Sequence, residues 1–98
     1  MSYKAHWQAH LRLTLLRLLA EQPGYKSNSS VLTQAADATA GFTATRDQVK
    51  TELAWLGEQG LITTSEVIEG LVVATLSERG GDVASGRAIV PGVQRPNP

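Results

Sequence analysis

Cysteine is absent from the 98 residues. That excludes disulfides, thiolate zinc sites and cysteine nucleophiles, and with them the usual grounds for an extracellular scaffold. Neither charge is in excess: nine basic side chains balance nine acidic ones, where a dedicated nucleic-acid binder shows a basic surplus or patch. No apolar run is long enough for a bilayer, because the densest leucine stretch is interrupted by Arg12 and Arg17. Residues Met1 to His10 lack a charged segment followed by an apolar one, so no secretory signal is expected and the cytoplasm is the expected compartment. Nucleophile elbow, Walker loop, dinucleotide fingerprint and paired carboxylates are all missing, and Gly80-Gly81 lacks the flanks of a phosphate cradle. Neither an enzyme nor a cofactor is expected.

What is present suits one soluble domain: 42% of the residues are hydrophobic and 18% charged, a balance neither disordered nor membrane-like. From His6 to Glu21, Leu11, Leu15, Leu18 and Leu19 recur at the spacing of one helix side, and Gln22-Pro23-Gly24 stops that helix. Residues Tyr25 to Ser27 read as a loop. Side-chain oxygens between Ser27 and Ser30 can cap a second helix whose apolar stripe is Val31, Leu32, Ala35 and Ala36, ending before Gly41. Asn28-Ser29-Ser30 matches a glycosylation acceptor, but capping chemistry is the reading that needs no secretion.

Thr45-Arg46-Asp47-Gln48 is a capping box, and Val49, Leu53 and Leu56 continue it as a third helix from Arg46 to Gln59. Beyond Gly60, the β-branched stretches Leu61 to Val67 and Leu71 to Leu76 predict a hairpin closed by Ile68-Glu69-Gly70. Ser77 can cap a last helix to Arg87, weakened by Gly80, Gly81 and Gly86, and three prolines between Val90 and Pro98 suggest an extended tail. The expected fold class is therefore α+β, mainly α: three helices, a two-stranded hairpin wing, a C-terminal helix and a tail. Residues 1–89 would form the domain and 90–98 the proline-rich tail.

That order is the winged helix-turn-helix order, and Leu53-Ala54-Trp55-Leu56 to Gly60-Leu61-Ile62 resembles a recognition helix entering its wing. A fuller resemblance rests on Met1-Ser2-Tyr3-Lys4-Ala5-His6, Leu18-Leu19-Ala20-Glu21, Pro23-Gly24-Tyr25, Leu53-Ala54-Trp55-Leu56, Glu58-Gln59-Gly60-Leu61 and Val90-Pro91-Gly92-Val93. With these segments the chain resembles a small family of domain-length proteins of Mu-like phages and prophages that carry an ArsR-type regulator label by fold similarity. The resemblance implies phage origin, a winged-helix fold and a DNA-binding role. An ArsR-like domain without cysteine would have no thiolate metal sensing.

In such a fold the third helix meets base edges, which points to Thr45, Arg46, Gln48, Lys50 and Thr51 as DNA-binding candidates. The alternative is a solvated helix face. With Leu53 and Leu56 turned inward, Asp47, Thr51, Ala54 and Glu58 lie opposite the core, and two of these four repel phosphate. The hairpin carries Glu66 and Glu69 and no cation between Thr63 and Leu76, so it is not a phosphate grip. Arg12 and Arg17 of the first helix are candidates to converge with Lys50.

Trp55 is expected to pack on the hairpin or to fill a protein interface, and Trp7 to join the core or to pair across a dimer. His6 and His10 stand at a metal-sharing spacing without a third ligand, so no metal site is expected. Two function classes follow. One is a small dimeric transcriptional regulator that binds duplex DNA through helix three; the other is a protein-interaction module that contacts a phage or host protein through Trp7, Trp55 or the tail. Neither class involves a membrane.

Overall fold

The computed structural model describes residues 2–96, so Met1 and the end of the expected tail, Asn97 and Pro98, lie outside the described residues. In chain order the elements are α1 (Tyr3–Glu21), a 3-10 turn (Pro23–Tyr25), β1 (Lys26–Asn28), α2 (Ser29–Ala40), α3 (Arg46–Glu58), β2 (Ile62–Ile68), β3 (Leu71–Leu76) and α4 (Glu78–Ser85).

The leucine spacing of α1 is denser than a one-sided stripe. Leu11, Leu13, Leu15, Leu16, Leu18 and Leu19 are all buried, and at about 100° per residue they occupy more than half of the helix circumference. Each fully buried leucine contributes about 2 kcal/mol of transfer free energy, so α1 is the central rod of the domain rather than a surface helix. It begins at Tyr3 instead of His6 because Ser2 Oγ accepts the Ala5 N–H at 3.1 Å. Around it pack Leu32 and Ala36 of α2, Val49, Leu53 and Leu56 of α3, Ala74 of β3 and Val83 and Ala84 of α4.

The sheet differs from the expected two-stranded wing. It has three strands in the order β1-β3-β2, all neighbours antiparallel, with Lys26 opposite Thr75, Ser27 opposite Ala74 and Asn28 opposite Val73. The segment expected as a loop therefore contributes a strand. Lys-Ser-Asn has no apolar alternation to announce it; the unpaired edge of β3 recruits it, and the buried Ser29 Oγ extends the ladder by accepting the Val72 N–H at 3.2 Å. Asn28 Oδ1 accepts the Val31 N–H at 2.9 Å, which is the capping role. The hairpin turn is also tighter than expected, Glu69-Gly70 alone, because a bulge near Val67 absorbs one residue of β2.

The C-terminal helix is short, and one of its glycines has a packing reason. A Cβ on Gly80 would run into the Leu61 carbonyl oxygen and lie 2.8 Å from Leu76 Cδ1, so the first turn of α4 sits directly on the corner between α3 and β2. Ser77 fixes that corner by donating its hydroxyl to Gly60 O at 2.8 Å while accepting the Gly80 N–H at 3.0 Å. Among the described residues, the segment after α4 contains no helix or strand, but it folds back: Val90 and Val93 are buried, and the Gln94 N–H donates to Ala9 O of α1 at 3.1 Å. Among the described residues, no helix is long and apolar enough to cross a membrane.

Candidate nucleic-acid interface

Helix α3 is held by its own first turn. Thr45 accepts the Gln48 N–H at 3.1 Å and Gln48 Oε1 accepts the Thr45 N–H at 2.9 Å, so the capping box is complete and both side chains are partly committed to it. Asp47 lies in the same turn, where a carboxylate complements the positive end of the helix dipole. The Thr51 hydroxyl donates back to Asp47 O at 2.9 Å. Of the five sequence candidates, Thr45, Arg46, Gln48 and Thr51 are exposed and Lys50 is half-buried.

The exposed surface of α3 has two flanks around an acidic middle. The outward stripe is Asp47, Thr51, Ala54 and Glu58, all exposed, as the helical spacing predicts. On the wing flank Gly57 faces Thr64, and a Cβ on Gly70 of the wing turn would lie 3.7 Å from Lys50 Nζ. Arg46, one turn before Lys50, continues that flank. On the opposite flank, Gln48 and Thr51 border a cleft of about 420 Å³ shared with Tyr3, Lys4 and Trp7 of α1. The α1 cation beside α3 is therefore Lys4, which the helical spacing alone did not single out.

Arg12 and Arg17 do not converge with Lys50. Arg12 is drawn inside: its Nε donates to Glu52 Oε1 at 2.7 Å, its Nη1 donates to Gly92 O at 3.0 Å, and its guanidinium lies 3.8 Å from the centre of the Trp55 ring. Glu52 is a buried residue of α3, and its second oxygen accepts from Gln8 Nε2 at 3.0 Å. A carboxylate on the inward half of a helix needs a charged partner, and the place of Glu52 between Val49 and Leu53 is the signal in the sequence that points to one. Arg17 borders Glu21 of α1 and the end of α2, at Thr39 and Ala40.

Trp55 does not pack on the hairpin. Gly57 takes the side of α3 that meets β2, and Trp55, two residues earlier, is turned about 200° away toward α1 and the C-terminal segment. Its ring lies under Gly92, whose Cβ position is 2.9 Å from the ring carbons. Trp7 is half-buried, makes an edge-to-face contact with Phe42 at 5.9 Å and 69°, and also lines the cleft beside α3. His6 and His10 are exposed on α1, and among the described residues no group of three metal-capable side chains is assembled.

Strand β2 of the wing is polar from Thr63 to Glu66 and apolar at its end, whereas β3 carries the half-buried Leu71, Val72 and Val73. Thr63 through Gly70 are exposed, and the Glu66 carboxylate turns back to accept the Gly70 N–H at 3.1 Å. Glu66 and Glu69 therefore both place negative charge at the turn.

No family model matches the chain. Two solved structures are similar in shape, the complexes of hsRosR-S4 and hsRosR-S1. The first has a TM-score of 0.64 at 18% identity over 74% of this chain and 61% of that one. The second has a TM-score of 0.67 at 17% identity over 83% and 70%. This chain thus spans about three fifths of the hsRosR-S4 chain. At such identities the likeness shows the fold alone, which is the winged helix-turn-helix, with α2 and α3 as the helix pair and β2–β3 as the wing. In sequence, the chain is 39% identical over 79 residues to an uncharacterised protein of Haemophilus influenzae, covering 81% of this chain and 76% of that protein. It is 45% identical over 87 residues to the uncharacterised protein gp26 of Escherichia phage Mu, covering 89% of this chain and 88% of that one. Identity of this depth across nearly both lengths makes the chain a member of the phage Mu gp26 family.

Proposed function

We propose that this protein is a small phage or prophage transcriptional regulator that binds duplex DNA through α3 in the cytoplasm of a bacterial host. The observation that carries the reading is the wing flank of α3, where Arg46 and Lys50 stand one turn apart beside the wing turn and Gln48 and Thr51 remain exposed on the same two turns. Arginine and glutamine are base readers, and lysine holds a phosphate as a point charge. The winged-helix likeness to the hsRosR complexes and the kinship with a phage protein support it. So few cations make a weak single site, and a homodimer would double them over two half-sites. The ArsR-type label belongs to the same proposal, without thiolate metal sensing.

The test is fluorescence anisotropy with mixed-sequence duplex at low and near-physiological salt. Binding should weaken steeply with salt, and Arg46→Ala and Lys50→Ala should each lower the log–log salt slope by about 1 while leaving the melting temperature unchanged. Parent-like binding by both variants would remove α3 as the reader.

One observation favours a second reading, a protein-interaction module. The most outward stripe of α3 carries Asp47 and Glu58, which repel phosphate, and Trp7 lines the adjacent cleft. Absence of duplex binding even at low salt, with a phage or host protein retained by the parent and lost on Trp7→Ala, would establish it over the DNA reading. Trp55 is offered to such a partner only where the C-terminal segment lifts away.

A further inference from the structure

Among the described residues, the three most exposed large apolar side chains are Tyr3 at 83%, Val67 at 71% and Ile68 at 65%. Val67 and Ile68 end strand β2. Glu66 pairs with Val72 and Ile68 with Leu71, so Val67 is the unpaired residue of a bulge, a device that re-aims a side chain at a strand end. The Glu66 carboxylate accepts the Gly70 N–H, and Gly70 closes the turn at φ 82°. The aliphatic pair therefore stands on a pre-formed loop between two exposed carboxylates, Glu66 and Glu69, of which Lys50 beside Gly70 offsets at most one.

Tyr3 belongs to the cleft of about 420 Å³ between α1 and α3, a volume in the range that receives compact organic groups. Trp7, braced edge-to-face by Phe42, lines it as well. The polar groups around it are largely committed within the chain. Gln8 Nε2 donates to Glu52 Oε2, Gln48 Oε1 accepts the Thr45 N–H, the Thr51 hydroxyl donates to Asp47 O, and Arg12 neutralises Glu52. An apolar occupant would therefore strand few hydrogen-bonding groups. Among the described residues that line the cleft, Lys4 is the one charge without an ion pair. The cleft thus suits aliphatic groups accompanied by negative charge, which is the chemistry of the wing tip.

The wing does not reach the cleft of its own chain. Gln48 borders the cleft and Gly57 faces Thr64 of β2, and at about 100° per residue these two positions stand on opposite sides of α3. We infer that the wing tip of one copy inserts into the α1–α3 cleft of a second copy, with Val67 and Ile68 against Tyr3 and Trp7 and with Glu69 toward Lys4. One such contact covers all three of the most exposed apolar side chains. Its two faces are different patches on opposite flanks of α3, so the contact is heterologous and copies join head to tail. A loop tip in a cleft buries less than the ~1,000 Å² of a stable complex, so the association is weak and is read at about 0.1–1 mM protein. It involves no nucleic acid and does not rest on the DNA-binding reading.

The experiment is sedimentation velocity over that concentration range, without DNA, on the parent, a tip variant Val67→Ser/Ile68→Ser and a cleft variant Tyr3→Ser/Lys4→Glu. All four replaced side chains are exposed, and a thermal melt verifies each fold. The weight-average mass of the parent should rise with concentration, and each variant should associate about tenfold more weakly or not at all. An equimolar mixture of the two variants should form one-to-one dimers and nothing larger, because an intact cleft on one then meets an intact tip on the other. Glu69→Lys alone should weaken association by about two- to fivefold, and mixing it with Lys4→Glu should recover the loss. A parent that stays at monomer mass, a variant that associates as the parent does, a mixture that remains monomeric, or a charge exchange without recovery would each overturn the contact. If the monomeric parent instead retains a phage or host protein that Trp7→Ala loses, the cleft belongs to that protein and not to a second copy.

Discussion

Replacing Arg12 by methionine removes one partner of the Arg12–Glu52 pair and leaves the Glu52 carboxylate in place. The two side chains are only 13% and 4% exposed, so this is an internal ion pair and not a surface one. Without Arg12, Glu52 keeps a single hydrogen bond, from Gln8, and the chain also loses the Arg12 bond to Gly92 O and the guanidinium–Trp55 stack. Breaking a buried pair by deleting one partner costs about 3–5 kcal/mol, chiefly through the stranded charge. Domains of this size are stable by about 5–15 kcal/mol, so the loss is a large share of the total. At about 4–8 °C per kcal/mol, the melting temperature should fall by on the order of 12–40 °C. Urea denaturation followed by circular dichroism gives the free energy directly. Arg12→Met/Glu52→Leu should recover much of the loss, because an apolar pair of similar volume carries no desolvation penalty. A loss below about 1 kcal/mol in Arg12→Met, the scale of an exposed pair, would refute the internal placement of Glu52.

Two other substitutions test the packing around this network. Gly80→Ala should cost about 3 kcal/mol in urea denaturation, because the added methyl meets the Leu61 carbonyl and Leu76 with no room to turn aside; a neutral result would place α4 further from the corner. Gly92→Val should lift residues 90–94 from α1, since its φ is 98° and its Cβ would lie 2.9 Å from the Trp55 ring and 3.1 Å from Arg12 Nη1. In a Trp7→Phe background the emission of Trp55 should then shift to longer wavelength, and an unshifted spectrum would show that the segment does not cover the ring.

The helices were legible because local rules determined them. The stop at Pro23-Gly24, the complete capping box at Thr45 and Gln48, and the Ser77 cap each act within a few residues. What sequence reading missed depends on partners far along the chain. β1 exists because β3 has an edge to pair, and nothing in Lys26-Ser27-Asn28 announces that. Of the two places expected for Trp55, the hairpin fails because the helical period gives its place on α3 but not the return of Gly92 over its ring. The interface candidates divide in the same way: exposure of Arg46, Gln48 and Thr51 follows from the helical period, whereas the closeness of Lys50 to the wing turn and of Lys4 to the α3 cleft requires tertiary packing.

The central position of α1 sets an order of events during synthesis. Its leucines are made first, while parts of their covering, α4 and the segment ending in the Gln94 bond to Ala9, are made last. At ribosomal speeds of ~5–20 residues per second, the interval between Leu19 and Gln94 is on the order of 4–15 s. Throughout that time the nascent chain carries a leucine-rich helix that cannot be fully wrapped, a ready client for a host chaperone and a point at which a prematurely terminated product would aggregate.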